Sequence, residues 1–194
     1  MILSAVTLTK REALQARLCD VYAWHQGIWQ AFPGRDGDRR DFLFRVDDRS
    51  SSFRLYVLSH TEPAAPPWGR WQSKAVGPSF LEHARYRFQL KANPTLRQSE
   101  SRKRVGLCDE TKLRNWMQRK ADQHGFAVAA EELVITPPME ETFVKHGRRG
   151  KHLAVDLRGV LTVTDRDRFR AAFETGIGSA KAFGFGLLLL QPIA

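Results

Sequence analysis

Residues 2–29 read ILSAVTLTKREALQARLCDVYAWHQGIW, and the spacing of their apolar residues changes from strand-like to helix-like near residue 10. Residues 2–8 alternate and are rich in residues that favour strands. Residues 10–30 instead follow helical spacing, with Leu14, Leu18 and Ile28 on one stripe. The segment therefore predicts a strand followed by one helix, which the turn residues from Pro33 onward end.

The next fifty residues complete a first unit. Residues 41–46 and 52–59 read as two strands joined by a polar turn, which is the pattern of a β-hairpin. Residues 62–69 contain three prolines and are predicted to be a loop, and residues 71–76 a short edge strand. We expect this unit to form a domain over residues 1–82.

A second unit repeats the order of strands and helices. Its predicted elements are, in order, a strand at 86–91, a helix at 110–124 ended by Gly125, strands at 126–135 and 153–164, a helix at 166–173 and a strand at 185–190. The sequence therefore predicts an α+β protein with two tandem ferredoxin-like (RRM-like) domains, over residues 1–82 and 83–194. Each would be a four-stranded antiparallel sheet with helices on one face.

The charge is strongly basic and unevenly placed. The chain has 31 Lys and Arg against 21 Asp and Glu, a net charge of +10. Residues 1–83 carry 11 basic and 9 acidic side chains, and residues 84–194 carry 20 and 12. We therefore expect a nucleic-acid surface in the second half. A membrane partner is disfavoured because no amphipathic helix pairs a Lys/Arg face with a bulky apolar face.

The cysteines and apolar runs indicate the compartment. Cys19 and Cys108 lie 89 residues apart and form no CxxC pair, so neither a zinc site nor a disulfide scaffold is indicated. The longest aliphatic run, Leu187 to Leu190, is too short to span a bilayer, and no targeting signal is recognised. We expect a cytoplasmic protein.

Tyr22 and His25 are the candidate catalytic pair. They lie three residues apart on the predicted helix, so their side chains can converge on one substrate atom. Histidine exchanges protons near neutral pH, which suits phosphodiester cleavage without a metal. The alternative is that both belong to the core stripe, with His25 hydrogen-bonded beside Trp29. No metal-ligand motif is found, and no cofactor is expected.

Two basic segments are candidates for RNA binding. The segment 145–152 lies between two predicted strands, where a hairpin would project into solvent and follow the phosphates of a duplex. The alternative for both segments is an ordinary solvated loop. The candidate side chains are Lys145, His146, Arg148, Arg149 and Lys151 in this segment, and Arg102, Lys103 and Arg104 before the second-unit helix.

A glycine loop precedes the last predicted strand. It follows a helix instead of opening one, so it is neither a dinucleotide fingerprint nor a Walker loop. Glycine N–H groups can approach phosphate closely, and turn geometry with tight packing is the alternative reading. The RNA-binding candidates here are Gly176, Gly178, Ser179, Lys181, Gly184 and Gly186.

Six blocks of the sequence resemble the CasE family, the CRISPR repeat-processing endoribonucleases of type I-E systems, over nearly the whole chain. The blocks are Met1 to Ser4, Tyr22 to Trp29, Phe88 to Thr95, Trp116 to Phe126, Gly159 to Asp165 and Gly176 to Leu187. Six blocks in the family's order make a chance match improbable.

The resemblance implies two ferredoxin-like domains and cleavage of CRISPR precursor RNA at the 3′ base of the repeat stem-loop. It places the family's catalytic histidine at His25 and its tyrosine at Tyr22, and its RNA-gripping finger at residues 145–151. It further implies a metal-independent attack by the ribose 2′-OH, a retained guide RNA and membership of a type I-E surveillance complex. No DNA contact is implied for processing.

Two other hypotheses stay open at this stage. A non-catalytic RNA-binding subunit of a ribonucleoprotein complex would have the same basic surface with His25 packed in the core. A protein-binding scaffold would interact with little dependence on salt, whereas phosphate-dominated binding weakens steeply as salt rises.

Overall fold

The computed structural model of the protein describes residues 1–34, 40–97 and 104–193. Within these ranges the first domain contains four strands and two α-helices. They are β1 (Ile2–Thr9), α1 (Lys10–Gln15), α2 (Val21–Trp29), β2 (Phe42–Asp48), β3 (Ser52–Ser59) and β4 (Arg70–Ala75). The strands form one antiparallel sheet in the order β2-β3-β1-β4, with β4 at an edge as the sequence predicted.

The helix predicted over residues 10–30 is two helices, so that prediction was wrong. Arg17 has a positive φ of 57°, which ends the first helix, and Asp20 then caps the second. Because the chain turns here, Leu14 is 71% exposed instead of lying on the buried stripe. Leu18 and Ile28 are buried as expected.

The second domain has the predicted strand and helix order with more strand fragments. Its elements are β5 (Arg85–Ala92), β6 (Thr95–Arg97), β7 (Arg104–Gly106), α3 (Glu110–Gln123), β8 (Phe126–Val128), β9 (Val134–Ile135), β10 (Met139–Lys145), β11 (Arg148–Val163), α4 (Arg166–Thr175) and β12 (Leu188–Ile193). The main sheet has the order β10-β11-β5-β12, and β8 and β9 also pair with β11. β6 and β7 form a separate small hairpin.

Each sheet therefore has the ferredoxin-like order, in which the first and third strands are central. In the second domain β5 and β11 are central, and β8, β9 and β10 together occupy the place of the second strand. In the first domain residues 60–69, which contain the three prolines, replace the second helix with a loop. The predicted fold class is confirmed, while the exact boundary at residue 82 stays a prediction.

Two strand predictions in the second domain needed correction. The strand predicted over 126–135 is interrupted by a 3₁₀ turn at Ala130–Glu132, and Pro137 and Pro138 separate β9 from β10. The last strand begins at Leu188 instead of residue 185. Gly184 and Gly186 have φ values of 83° and 89°, which no strand residue adopts, so they remain in the preceding loop.

The first sheet packs on both faces, which joins the two domains. Phe42 and Phe44 of β2 face the first-domain core under α2, while Leu43 between them packs into the second-domain core. Arg45 of β2 is 7% exposed and its guanidinium lies 2.8 Å from a carboxylate oxygen of Asp156 on β11. Strand β2 is therefore held between the domains, directly beneath α2.

In the ranges that the structure describes, no helix is both long enough and apolar enough to cross a membrane.

Candidate active site

Helix α2 presents Tyr22 and His25 on neighbouring positions of its surface. Asp20 begins this helix, since its Oδ1 accepts a hydrogen bond from the Ala23 N–H at 2.8 Å. The ring centroids of Tyr22 and His25 are 6.5 Å apart, and both side chains are partly buried. The structure thus brings the predicted pair together at one site.

His25 lies in an aromatic surround contributed by two elements. Its ring centroid is 6.0 Å from that of Phe42 and 6.3 Å from that of Phe44, both on β2. On its own helix, Trp29 Nε1 donates a hydrogen bond to His25 Nε2 at 3.2 Å. The imidazole therefore packs beside Trp29, as the core alternative predicted, yet it is only half-buried, and its catalytic role stays a prediction.

The surroundings of His25 hold its ring neutral. Burial, together with the positive charges of Arg40 and Lys145, lowers the pKa of His25 to about 4, and burial is the largest of the three causes. A neutral ring that accepts at Nε2 carries its proton on Nδ1. At neutral pH the side chain is thus an unprotonated base whose acceptor nitrogen already bonds to an indole.

The basic segment forms a projecting hairpin, the finger, made of β10, β11 and the turn between them. His146 and Gly147 have φ values of 50° and 72°, the positive pair that a two-residue type I′ turn requires. Near this tip, Lys145 Nζ lies 5.7 Å from the centroid of the Tyr22 ring, and the His146 ring lies 6.3 Å from it. The finger therefore reaches the candidate catalytic pair.

Most predicted finger residues are open to solvent. Lys145, His146, Arg148, Arg149 and Lys151 are all exposed, and Lys151 also forms an ion pair with Glu140 at 2.6 Å. Arg104 is exposed on β7, whose Gly106 packs close to Leu153 of β11. Arg102 and Lys103 lie outside the described residues. Contact of these side chains with RNA stays a prediction.

The glycine loop is packed between the domains. A Cβ atom on Gly184 would lie 3.2 Å from the Phe44 ring, and one on Gly176 would lie 2.9 Å from Leu43. The N–H of Gly176 donates to Ala172 O, and that of Gly186 to Lys91 O, both at 2.8 Å. These two N–H groups already donate to carbonyl oxygens of the protein. A phosphate bound in this loop would therefore need N–H groups of other loop residues.

The other candidates in the loop are partly exposed. Ser179 Oγ donates to Asn93 O at 3.1 Å, and Lys181 Nζ donates to Thr175 O at 2.7 Å. Lys181 lies in a 3₁₀ turn whose Phe183 ring is 4.4 Å from that of Phe143 in the finger. The pKa of Lys181 is lowered by burial and by the charges of Arg40 and Lys120. Arg40 therefore lies near both Lys181 and His25, and Lys145 is a second cation near the half-buried imidazole.

Sequence reasoning did not single out one contributor to the site and gave another only as an alternative. Arg40 precedes β2, bonds the Phe42 carbonyl oxygen and lies near enough to His25 to depress its pKa. The bond from Trp29 to His25 was foreseen only as an alternative, although their i, i+4 spacing places them on one face. Within the described ranges, no three His, Cys, Asp or Glu side chains converge as metal ligands.

Comparisons with known proteins agree with this architecture. A family model described as "CRISPR associated protein" matches residues 1–192. The CRISPR system Cascade subunit CasE of Escherichia coli K12 is 31% identical over 190 residues, covering 90% of this chain and 93% of the relative.

Two solved structures superpose over almost the whole chain. The CRISPR endoribonuclease Cse3 bound to 19 nt RNA has a TM-score of 0.86 at 25% identity, covering 99% of this chain and 100% of the other. Thermus thermophilus Cse3 bound to an RNA representing a pre-cleavage complex has a TM-score of 0.82 at 26% identity, covering 98% of each chain. The full-length family match and the curated relative place the chain in the CasE family of CRISPR-associated proteins.

Proposed function

We propose that this protein is an endoribonuclease that cuts CRISPR precursor RNA at the 3′ base of the repeat stem-loop. The observation that carries the proposal is a neutral, half-buried His25 beside Tyr22, with Lys145 and His146 of a basic finger next to them. A similar protein described as a CRISPR endoribonuclease bound to RNA, and another bound to an RNA representing a pre-cleavage complex, support the choice of reaction.

The proposed reaction uses the RNA's own hydroxyl group. The ribose 2′ oxygen attacks the adjacent phosphorus while the bond from phosphorus to the 5′ oxygen breaks. His25 accepts the proton of the 2′-OH, the departing 5′ oxygen takes a proton from solvent water, and His25 then returns its proton to solvent. The products are a 2′,3′-cyclic phosphate and a 5′-hydroxyl. General base catalysis of this kind contributes about 10² to 10⁴ in rate.

The low pKa of His25 favours the base role over the acid role. A general base must be unprotonated before the reaction, and His25 is neutral throughout the physiological range. Its Nε2 shares its lone pair with the Trp29 N–H, so the 2′-OH would displace or share that bond. Tyr22, one helical turn away, would orient the ribose or the phosphate.

Positive charges near the ring would stabilise the phosphate as its charge grows. Lys145 lies over Tyr22, and Arg40 approaches His25 from the β2 side. Fixed cations directed at developing charge act strongly in a partly desolvated site. Because protein groups supply the base and the charges, we propose that cleavage needs no metal ion.

The finger and the adjacent cations would hold the stem-loop before and after the cut. Four exposed basic or imidazole side chains lie near the finger tip, which suits contact with phosphates along a duplex. Retention of the cleaved guide RNA would let the protein act as a subunit of a type I-E surveillance complex. The similar E. coli protein is described as a Cascade subunit.

End-group analysis tests this function. The protein is incubated with its CRISPR repeat RNA in excess chelator, and the fragments are examined for a 2′,3′-cyclic phosphate and a 5′-hydroxyl. A parallel RNA carries a single 2′-deoxy nucleotide at the scissile position and should bind but stay intact. Cleavage of the deoxy substrate, or binding without any cleavage of the ribose substrate, would refute the proposal; the latter would favour a non-catalytic RNA-binding subunit.

A further inference from the structure

Asp20 bonds two separate elements at once. Its Oδ1 accepts from the Ala23 N–H at 2.8 Å and thereby caps α2, the helix that carries Tyr22 and His25. Its Oδ2 accepts from the Val144 N–H in the finger at 2.9 Å, across 124 positions of sequence. One carboxylate therefore ties the start of the candidate catalytic helix to the finger.

The finger's register explains why the Val144 N–H is available. In an antiparallel ladder, hydrogen-bonded pairs alternate with pairs whose N–H groups point away from the partner strand. The two-residue turn makes Lys145 and Arg148 a hydrogen-bonded pair, so Val144 and Arg149 are the next, non-bonded pair. β10 is also the sheet's edge, so the outward Val144 N–H lacks a strand partner.

We propose that Asp20 is a positioning residue that holds the finger at a fixed place over α2. The residues directly after Val144 are Lys145 and His146, the two finger residues that lie against Tyr22. Fixing the Val144 backbone therefore fixes the cation and the imidazole that face the site. The inference rests on the proposed function, because it concerns how RNA held by the finger is aligned with His25.

The carboxylate is suited to this double role in a way that other capping residues are not. Asparagine keeps an oxygen for the cap but would turn an N–H₂ donor toward the Val144 N–H. Serine can cap a helix, but its side chain is too short to reach the finger as well. Asp109 caps α3 through the Lys112 N–H at 2.9 Å, and in the part of the chain that the structure describes its side chain forms no hydrogen bond with the finger, which makes it a matched control.

The experiment compares Asp20→Asn and Asp20→Ser with Asp109→Asn in the full-length protein. Single-turnover cleavage of the repeat RNA is measured at saturating enzyme, and affinity is measured with the 2′-deoxy RNA. We expect both Asp20 variants to cleave about 10- to 100-fold more slowly, since a misplacement of about 1 Å can have an effect of that order. Affinity should change by less than about threefold, and Asp109→Asn should cleave like the wild type.

Amide hydrogen exchange reports on the bond itself. The Val144 amide should be protected in the wild type and lose protection in Asp20→Asn, while the Lys145 amide, which bonds within the ladder, stays protected. Wild-type cleavage by both Asp20 variants, an equal loss in Asp109→Asn, or an unprotected Val144 in the wild type would overturn the positioning role alone. Failure of the wild type to cut the RNA would instead overturn the proposed function and this inference with it.

Discussion

The Trp29 indole N–H donates to His25 Nε2 at 3.2 Å, one helical turn along α2. The bond engages the nitrogen that a general base would use, and it favours the neutral ring over the imidazolium, which has no lone pair to offer. The same ring is packed against Phe42 and Phe44. Burial and the charges of Arg40 and Lys145 keep the base unprotonated, and we expect the indole donor to add a preference for the neutral ring.

Replacing Trp29 with Phe should raise the pKa of His25 above its value of about 4. The indole donor that stabilises the neutral ring is lost, while an aromatic ring still covers the imidazole. NMR titration of the His25 ring protons measures the change. Trp71→Phe is the matched control, since that indole donates to the Trp68 carbonyl oxygen. An unchanged His25 pKa would show that the bond does not set the protonation state.

The pH dependence of kcat/KM should reveal the protonation state that His25 needs. If the free protein requires neutral His25, kcat/KM is level from about pH 5 to 8 and falls only as the pH drops through about 4. If the protein instead requires protonated His25, kcat/KM falls about tenfold for each pH unit above about 4. Initial rates with subsaturating RNA distinguish the two, and the second result would assign His25 the acid role.

Removing finger charges should weaken RNA binding and its salt dependence. Lys145→Ala and Arg148→Ala each delete an exposed cation of the finger. Log affinity falls as log salt rises, and each lost phosphate contact should make this negative slope shallower by about 0.7 to 0.9. Lys74→Ala is the control, because Lys74 is exposed on β4 at the edge of the first sheet opposite β2. Equal slopes for the finger variants and the wild type would remove the finger from the RNA contact.

Gly184→Ala should disturb His25 indirectly, through the Phe44 ring that packs against the imidazole. An added Cβ would lie 3.2 Å from the Phe44 ring, and the residue has a φ of 83°. Positive φ at a non-glycine residue costs about 1 to 2 kcal/mol, and the close contact adds to it. Gly34→Ala is matched in conformation, with a φ of 77°, and apart from its chain neighbours no described residue places an atom within 4 Å of an added Cβ.

Thermal unfolding and single-turnover cleavage of both glycine variants measure the effect. We expect Gly184→Ala to lose more stability than Gly34→Ala and to cleave RNA more slowly. Equal behaviour of the two variants would mean that the contact with Phe44 contributes nothing to the site.

The order of elements was predictable because it depends on local periodicity. The buried face of α3, comprising Leu113, Trp116, Met117 and Ala121, follows directly from helical spacing. The break at Arg17 was not predictable in the same way, since Leu14 and Leu18 continue the apolar stripe although only Leu18 is buried. A positive φ at an arginine carries no composition signal of the kind that glycine or proline provides.

The site was predictable in its residues but not in its surroundings. Tyr22 and His25 share a helix, so their spacing indicated that they would meet. The contacts from Phe44, Arg40, Val144 and Gly184 come from other parts of the chain, and only the tertiary structure brings them to α2. The glycine loop likewise could not be assigned to packing until Leu43 and Phe44 were seen against it.

Replacement of His25 tests the central claim most directly. Single-turnover cleavage of the repeat RNA and affinity for the 2′-deoxy RNA are measured for His25→Ala, with His25→Gln as a variant of more similar size. If His25 is the general base, both variants lose at least about 10²-fold in cleavage rate and keep their affinity to within about threefold. Cleavage at the wild-type rate by a folded variant would contradict the assignment.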